Sequence, residues 1–184
     1  MTTHSLIRAS GASSILGGGM LVIFLAFHEP GINDLGLGNI FWHSVESAAL
    51  VFIQLGLVGM YARHWQHVGW VGLISFVLAF IGNGWFAATA YSEGYGIRSE
   101  PFFVLALRIS WIVFFGAWLF FGLAILVARI LPPGGAILSM MAVPAGFAAA
   151  ILAGGQGHIA VMGVGIVFGI GQMWLGWGLV SSKF

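Results

Sequence analysis

The sequence predicts an all-α integral membrane protein, a single-domain bundle of six transmembrane helices (residues 1–184) with both termini cytoplasmic. Three observations predict it. First, 60% of the 184 residues are hydrophobic and only 6% are charged, whereas a soluble domain carries about a quarter charged residues. Mean hydropathy is +1.04, and a water-soluble exterior could not absorb so much apolar surface. Second, the apolar residues gather into six runs that meet or approach the ~20 residues needed to cross a bilayer as helix. Third, the charges segregate. Glu29, Asp34, Glu46, Glu93 and Glu100 all fall in, or just inside, the segments that join alternate pairs of runs, and most Lys and Arg fall at the opposite ends.

The runs are read in order. Ser13 to Phe27 is short and Gly-rich (Gly17-Gly18-Gly19), so its helix is expected either to extend back toward Ile7 or to pack tightly against a neighbour. Arg8 precedes it, as in a signal-peptide core, but no small-x-small cleavage site follows, so it is read as a retained helix. Ile40 to Ala62 and Val68 to Tyr91 are joined by a tight basic turn, Arg63 to His67. Phe102 to Ile130 is long enough to tilt, and Pro132-Pro133 stops it and starts the next. Gly135 to Ala153 carries Pro144 mid-run, where a kink is expected. His158 to Val180 is the last. Gly56 to Arg63 resembles Gly122 to Arg129, which would fit a duplicated helical hairpin, although apolar helix ends closed by Arg also look alike by chance.

Orientation follows from the positive-inside rule. Arg8, Arg63, Arg129 and Lys183 lie on one side of an even number of crossings, and only Arg98 is a basic loop residue on the other. Trp65, Trp70, Trp174 and Trp177 fit the cytoplasmic interface and Trp42 the opposite one. The expected location is a cytoplasmic membrane of prokaryotic type. Net charge is +1 and cysteine is absent, so nothing points to nucleic acid, and disulfides and thiolate ligands are excluded. No Lys lies in a span, and no phosphate loop or nucleophile elbow is present.

Ionisable side chains inside a bilayer cost on the order of 3 kcal/mol and are functional candidates by default. Glu46 lies about six residues into the second run, roughly 9 Å deep at 1.5 Å per residue. His43, three residues earlier, projects from the same face. Arg108 lies at similar depth in the fourth run, and Asn83 approaches it in the third. His28 closes the first run; Gln156 and His158 open the sixth. Depth alone sets these residues at one level. The plainest reading is that Glu46 and Arg108 neutralise each other and fix helix register.

Three functional readings stand beside it. Glu46 and His43 form an acid–base couple for catalysis or proton-coupled transport, with Arg108, Asn83 and Gln156 orienting a polar group and Trp85, Trp111 and Phe114 stacking on a small amphipathic ligand. Alternatively His28, His43 and His158 hold a haem or a divalent transition metal, with Glu46 beside them. His64 and His67 form a second, weaker pair. Lastly, Gly165-x-x-x-Gly169, prolonged by Gly171, Gly176 and Gly178, is a close-packing signature. It serves either the chain's own bundle or other membrane subunits, including a second copy. Membrane lipids are the expected surroundings in every case.

Overall fold

The computed structural model describes residues 2–27, 37–95, 101–152 and 157–181. Those residues are helical almost throughout, in five helices: α1 (Thr3–Phe27), α2 (Leu37–Gly94), α3 (Pro101–Ala128), α4 (Pro133–Leu152) and α5 (Gly157–Ser181). Four are long and apolar enough to cross a membrane, α1, α2, α3 and α5, while the apolar described part of α4 is the shorter Pro133–Ala142. Their outward faces suit lipid. Phe102 is 83% exposed and Trp70 79%, a display of apolar surface that water would not tolerate.

The count is five where six runs were expected. The second and third runs lie in one element, because the helix continues through Arg63 to His67 instead of turning there. Its break is at Gly69, with φ 53° and ψ −151°, a conformation close to the region reserved for glycine. A straight helix of 58 residues would measure roughly 87 Å, about three hydrocarbon thicknesses. Instead α2 doubles back. Asn39 Nδ2 donates to the carbonyls of Glu93 (3.4 Å) and Gly94 (3.1 Å). Asn83 Nδ2 donates to Leu50 O at 2.6 Å, and Gln54 Nε2 to Phe80 O at 3.2 Å. These pairs nest around Gly69, so the arms 37–68 and 70–94 run antiparallel.

The other boundaries also shift. α1 does extend back beyond Ser13, starting at Thr3, about one turn before Ile7. Thr2 caps it, its Oγ1 accepting from Ser5 N at 3.3 Å. α3 ends at Ala128, and Arg129 takes a positive φ of 55°, the left-handed residue that commonly closes a helix. Pro133 then begins α4, where its missing N–H costs nothing, and α4 runs on through Pro144.

Neighbours pack in a ring: α1 on α2 and α5, α2 on α3, α3 on α4, and α4 on α5. Glycine decides the closest seams. A Cβ on Gly11 would lie 2.8 Å from Gly176 O, and one on Gly176 2.6 Å from Gly11 O. Gly18 and Gly169 oppose each other in the same way, as do Gly135 and Gly171. Around α3 the packing is aromatic: Trp118 sets its ring edge-on to Phe121 and Phe168, and Phe114 to Phe168.

Candidate functional site

His43 and Glu46 share one face of the first α2 arm, and both are buried, 2% and 9% exposed. His43 Nδ1 and Glu46 Oε2 lie 3.1 Å apart in an ion-pair geometry. The i, i+3 spacing puts the two side chains within reach on one helix, and the surroundings hold them there. The Phe24 ring of α1 packs against the imidazole at a centroid distance of 6.0 Å. Gly94, at the end of the second arm, leaves His43 its space, since a Cβ there would sit 3.1 Å from His43 Cβ. Asn39 clamps that same end through Gly94 O. Sequence reasoning passed over both Asn39 and Gly94; the only available signal was a polar amide at the start of a span.

Below the pair, Glu46 opens onto a cavity of about 50 Å³. Its walls come from four helices: Leu21 and Leu25 of α1; Leu50 and Phe86 of α2; Trp111, Phe114 and Phe115 of α3; Gly165 and Phe168 of α5. Glu46 is the single charged residue among them. The carboxylate therefore stands at the head of an aromatic chamber. Trp111 meets Phe86 and Phe115 edge-on, and Phe86 packs on Phe114 at 5.1 Å. The volume holds water or a small group. It is far below the ~300–1,000 Å³ of sites that enclose a whole small molecule.

The expected cluster is thus only partly gathered. His43, Glu46, Trp111 and Phe114 come together. Arg108 does not join them: it is exposed on α3, and the carboxylate's ion pair is with His43. Arg108 lies on the same stripe of α3 as Trp111 and Phe115, three and seven residues further on, but it stands one turn nearer the helix start and its side chain is exposed there, so shared depth did not bring contact. Trp85 is likewise on an exposed face and lines no part of the chamber. Asn83 is fully buried about one turn deeper, spent on bridging the α2 arms. Its Oδ1 has no hydrogen-bond partner among the described residues.

The metal reading meets less support. His28, Gln156 and the side chain of His158 fall outside the described residues. Among those described, no group of three or more potential ligands converges. The second histidine pair is split: His64 is buried with Nδ1 against Met60 O, whereas His67 is exposed. The α5 glycines are used inside the bundle. Gly169 and Gly176 face α1, Gly171 faces α4, Gly178 faces Leu131 and Pro132 just before α4, and Gly165 meets Leu25. No family model matches the chain, and no curated protein or solved structure does so.

Proposed function

We propose that the chain is a polytopic membrane protein whose Glu46–His43 site takes the polar end of a small amphipathic ligand, the apolar body lying among the Phe and Trp side chains of the chamber. The observation that carries this reading is the placement of one carboxylate at the head of an otherwise apolar, aromatic-lined cavity. An ionised carboxylate only accepts hydrogen bonds, and ring faces attract cations, so the matching head is a cationic hydrogen-bond donor such as an ammonium group. A whole ligand needs the chamber to widen at its α3 wall. Six crossings are part of the proposal, with the two α2 arms crossing separately. So are cytoplasmic termini, supported by Arg8, Arg63 and Arg129 at the end shared by the start of α1 and the close of α5.

Proton-coupled transport is the second reading. It is favoured by the direct His43–Glu46 contact and by buried amides deeper in the bundle, Asn83 and Gln172, each with an oxygen that has no partner among the described residues. The accessory-subunit reading loses its motif, since the α5 glycines are occupied within the chain.

The test is calorimetric titration of the full chain in lipid nanodiscs with an alkylammonium and with the alcohol of equal length. The amine is expected to bind and the alcohol to bind at least roughly tenfold more weakly, the scale of one charged hydrogen bond. Glu46→Gln should erase the difference. Trp111→Leu, which leaves the ion pair alone, should weaken both ligands. Equal binding of amine and alcohol, or an amine affinity untouched by both substitutions, would overturn the proposal.

A further inference from the structure

The opposite end of the bundle carries a larger and chemically different recess. It lies between the first two turns of α1 and residues 62–66 of α2, with a volume of about 370 Å³. Thr3, His4, Arg63 and Gln66 supply its polar wall, and Ile7, Ala62 and Trp65 its apolar one. No Asp or Glu lines it. Both acidic residues of the described chain, Glu46 and Glu93, belong to the far end. Arg8 and His67 stand exposed near the recess. Among the described residues, the charged side chains at this end are all basic. Its height also matters. Trp65 in the recess wall is exposed, as is Trp70 just past the Gly69 break, and tryptophans favour headgroup level.

We propose that this recess binds the phosphate headgroup of an anionic phospholipid. Arg63 carries a planar guanidinium whose donors suit phosphate oxygens, with Gln66 beside it on α2 and Thr3 and His4 adding polar groups from the facing α1 wall. Ile7, Ala62 and Trp65 continue the recess into the apolar girdle, where the glycerol and acyl chains would run. That continuity favours a lipid over free phosphate. The proposal is independent of the Glu46 chamber, which lies at the other end.

The full chain, purified in neutral detergent, is mixed with phosphatidylglycerol, phosphatidylcholine or inorganic phosphate. Bound lipid is counted by native mass spectrometry, and thermal unfolding is followed in parallel. Phosphatidylglycerol is expected to bind and to raise the unfolding midpoint, the other two having little effect. Arg63→Gln should cost roughly fivefold in affinity, the worth of one basic residue at an anionic surface. His4→Ala, at an exposed first turn whose loss cannot collapse the bundle, should cost a similar factor and carries the test if the Arg63 variant fails to fold. Arg129→Gln, at the same end outside the recess, should change nothing. Equal binding of phosphatidylcholine overturns the proposal, as does equal stabilisation by inorganic phosphate. Equal losses at Arg63 and Arg129 overturn it too, because they mean a diffuse basic belt and no site.

Discussion

Where α5 meets α1 and α4, glycine faces glycine and backbone lies against backbone; where α2 meets α3, rings of Phe and Trp fill much of the space, although Gly82 also comes close to the Phe114 backbone. The first seam is closed because its residues have nothing to interpose. Gly11, Gly18 and Gly135 each face a carbonyl across the interface. The second seam is filled by flat groups, such as Phe86 meeting Trp111 edge to face and packing tilted on Phe114. Large rigid rings do not tile a tapering space, and the chamber headed by Glu46 lies among them. The difference teaches where a ligand can be accommodated. The glycine seam can only be tight or broken, whereas rings can turn and admit a guest.

The largest effect should come from filling the closed seam. Gly169→Val would bring Cβ to 2.8 Å from Gly18 O and from Val22 Cγ2. Backbone cannot step aside as a flexible side chain can, so the expected loss is about 3 kcal/mol, the upper end for overpacking. Gly116 of α3 is the control, because a Cβ there meets nothing within 4 Å. Gly116→Ala should cause no loss. Unfolding by dodecyl sulfate in mixed micelles reads both, and equal losses would show that the contrast between the seams is not real.

An intermediate effect belongs to the ion pair on the aromatic side. In a double-mutant cycle, His43→Ala and Glu46→Ala should couple by about 1 kcal/mol or more, within the range for contacting charged groups. Arg108→Ala and Glu46→Ala should add to within ~0.5 kcal/mol, as separated sites do. The reverse ranking would restore the Glu46–Arg108 pairing that the sequence suggested and would remove His43 from the site.

That pair also shows what was legible in the sequence. Depth was: counting residues from the start of a span places Glu46 and Arg108 at one level, because rise per residue is fixed. Partners were not: Arg108 is exposed, and His43, one turn from Glu46 on the same helix, meets the carboxylate instead. Hydropathy likewise revealed the apolar runs but not the backbone break. Arg63 to His67 read as a turn because it is polar, yet those residues sustain a helix, and the chain reverses at Gly69, where the conformation demands glycine. The first turns of α1 are polar in sequence yet packed in part: Ser10 and Ser14 are both buried, and Ser14 Oγ donates to Gln172 O at 2.9 Å. The chamber's walls come from four helices, and no local pattern announces such a convergence.

Gln172 provides the smallest effect and a probe of the closed seam. Its Nε2 donates to Ser139 Oγ at 3.0 Å, and Ser139 in turn donates to Gly135 O. The bond from Ser14 goes to the Gln172 backbone carbonyl, so it survives any change of side chain. Gln172→Met keeps the length and volume of the side chain and removes one interhelical hydrogen bond. Such bonds average ~0.6 kcal/mol in membrane bundles. The substitution also deletes Oε1, a buried acceptor without a partner among the described residues, whose burial is itself unfavourable. The two changes oppose each other, and the net loss in dodecyl sulfate unfolding should stay below about 1 kcal/mol. A loss above ~2 kcal/mol would mean that Oε1 is engaged after all, and the seam would then depend on a polar contact in addition to glycine packing.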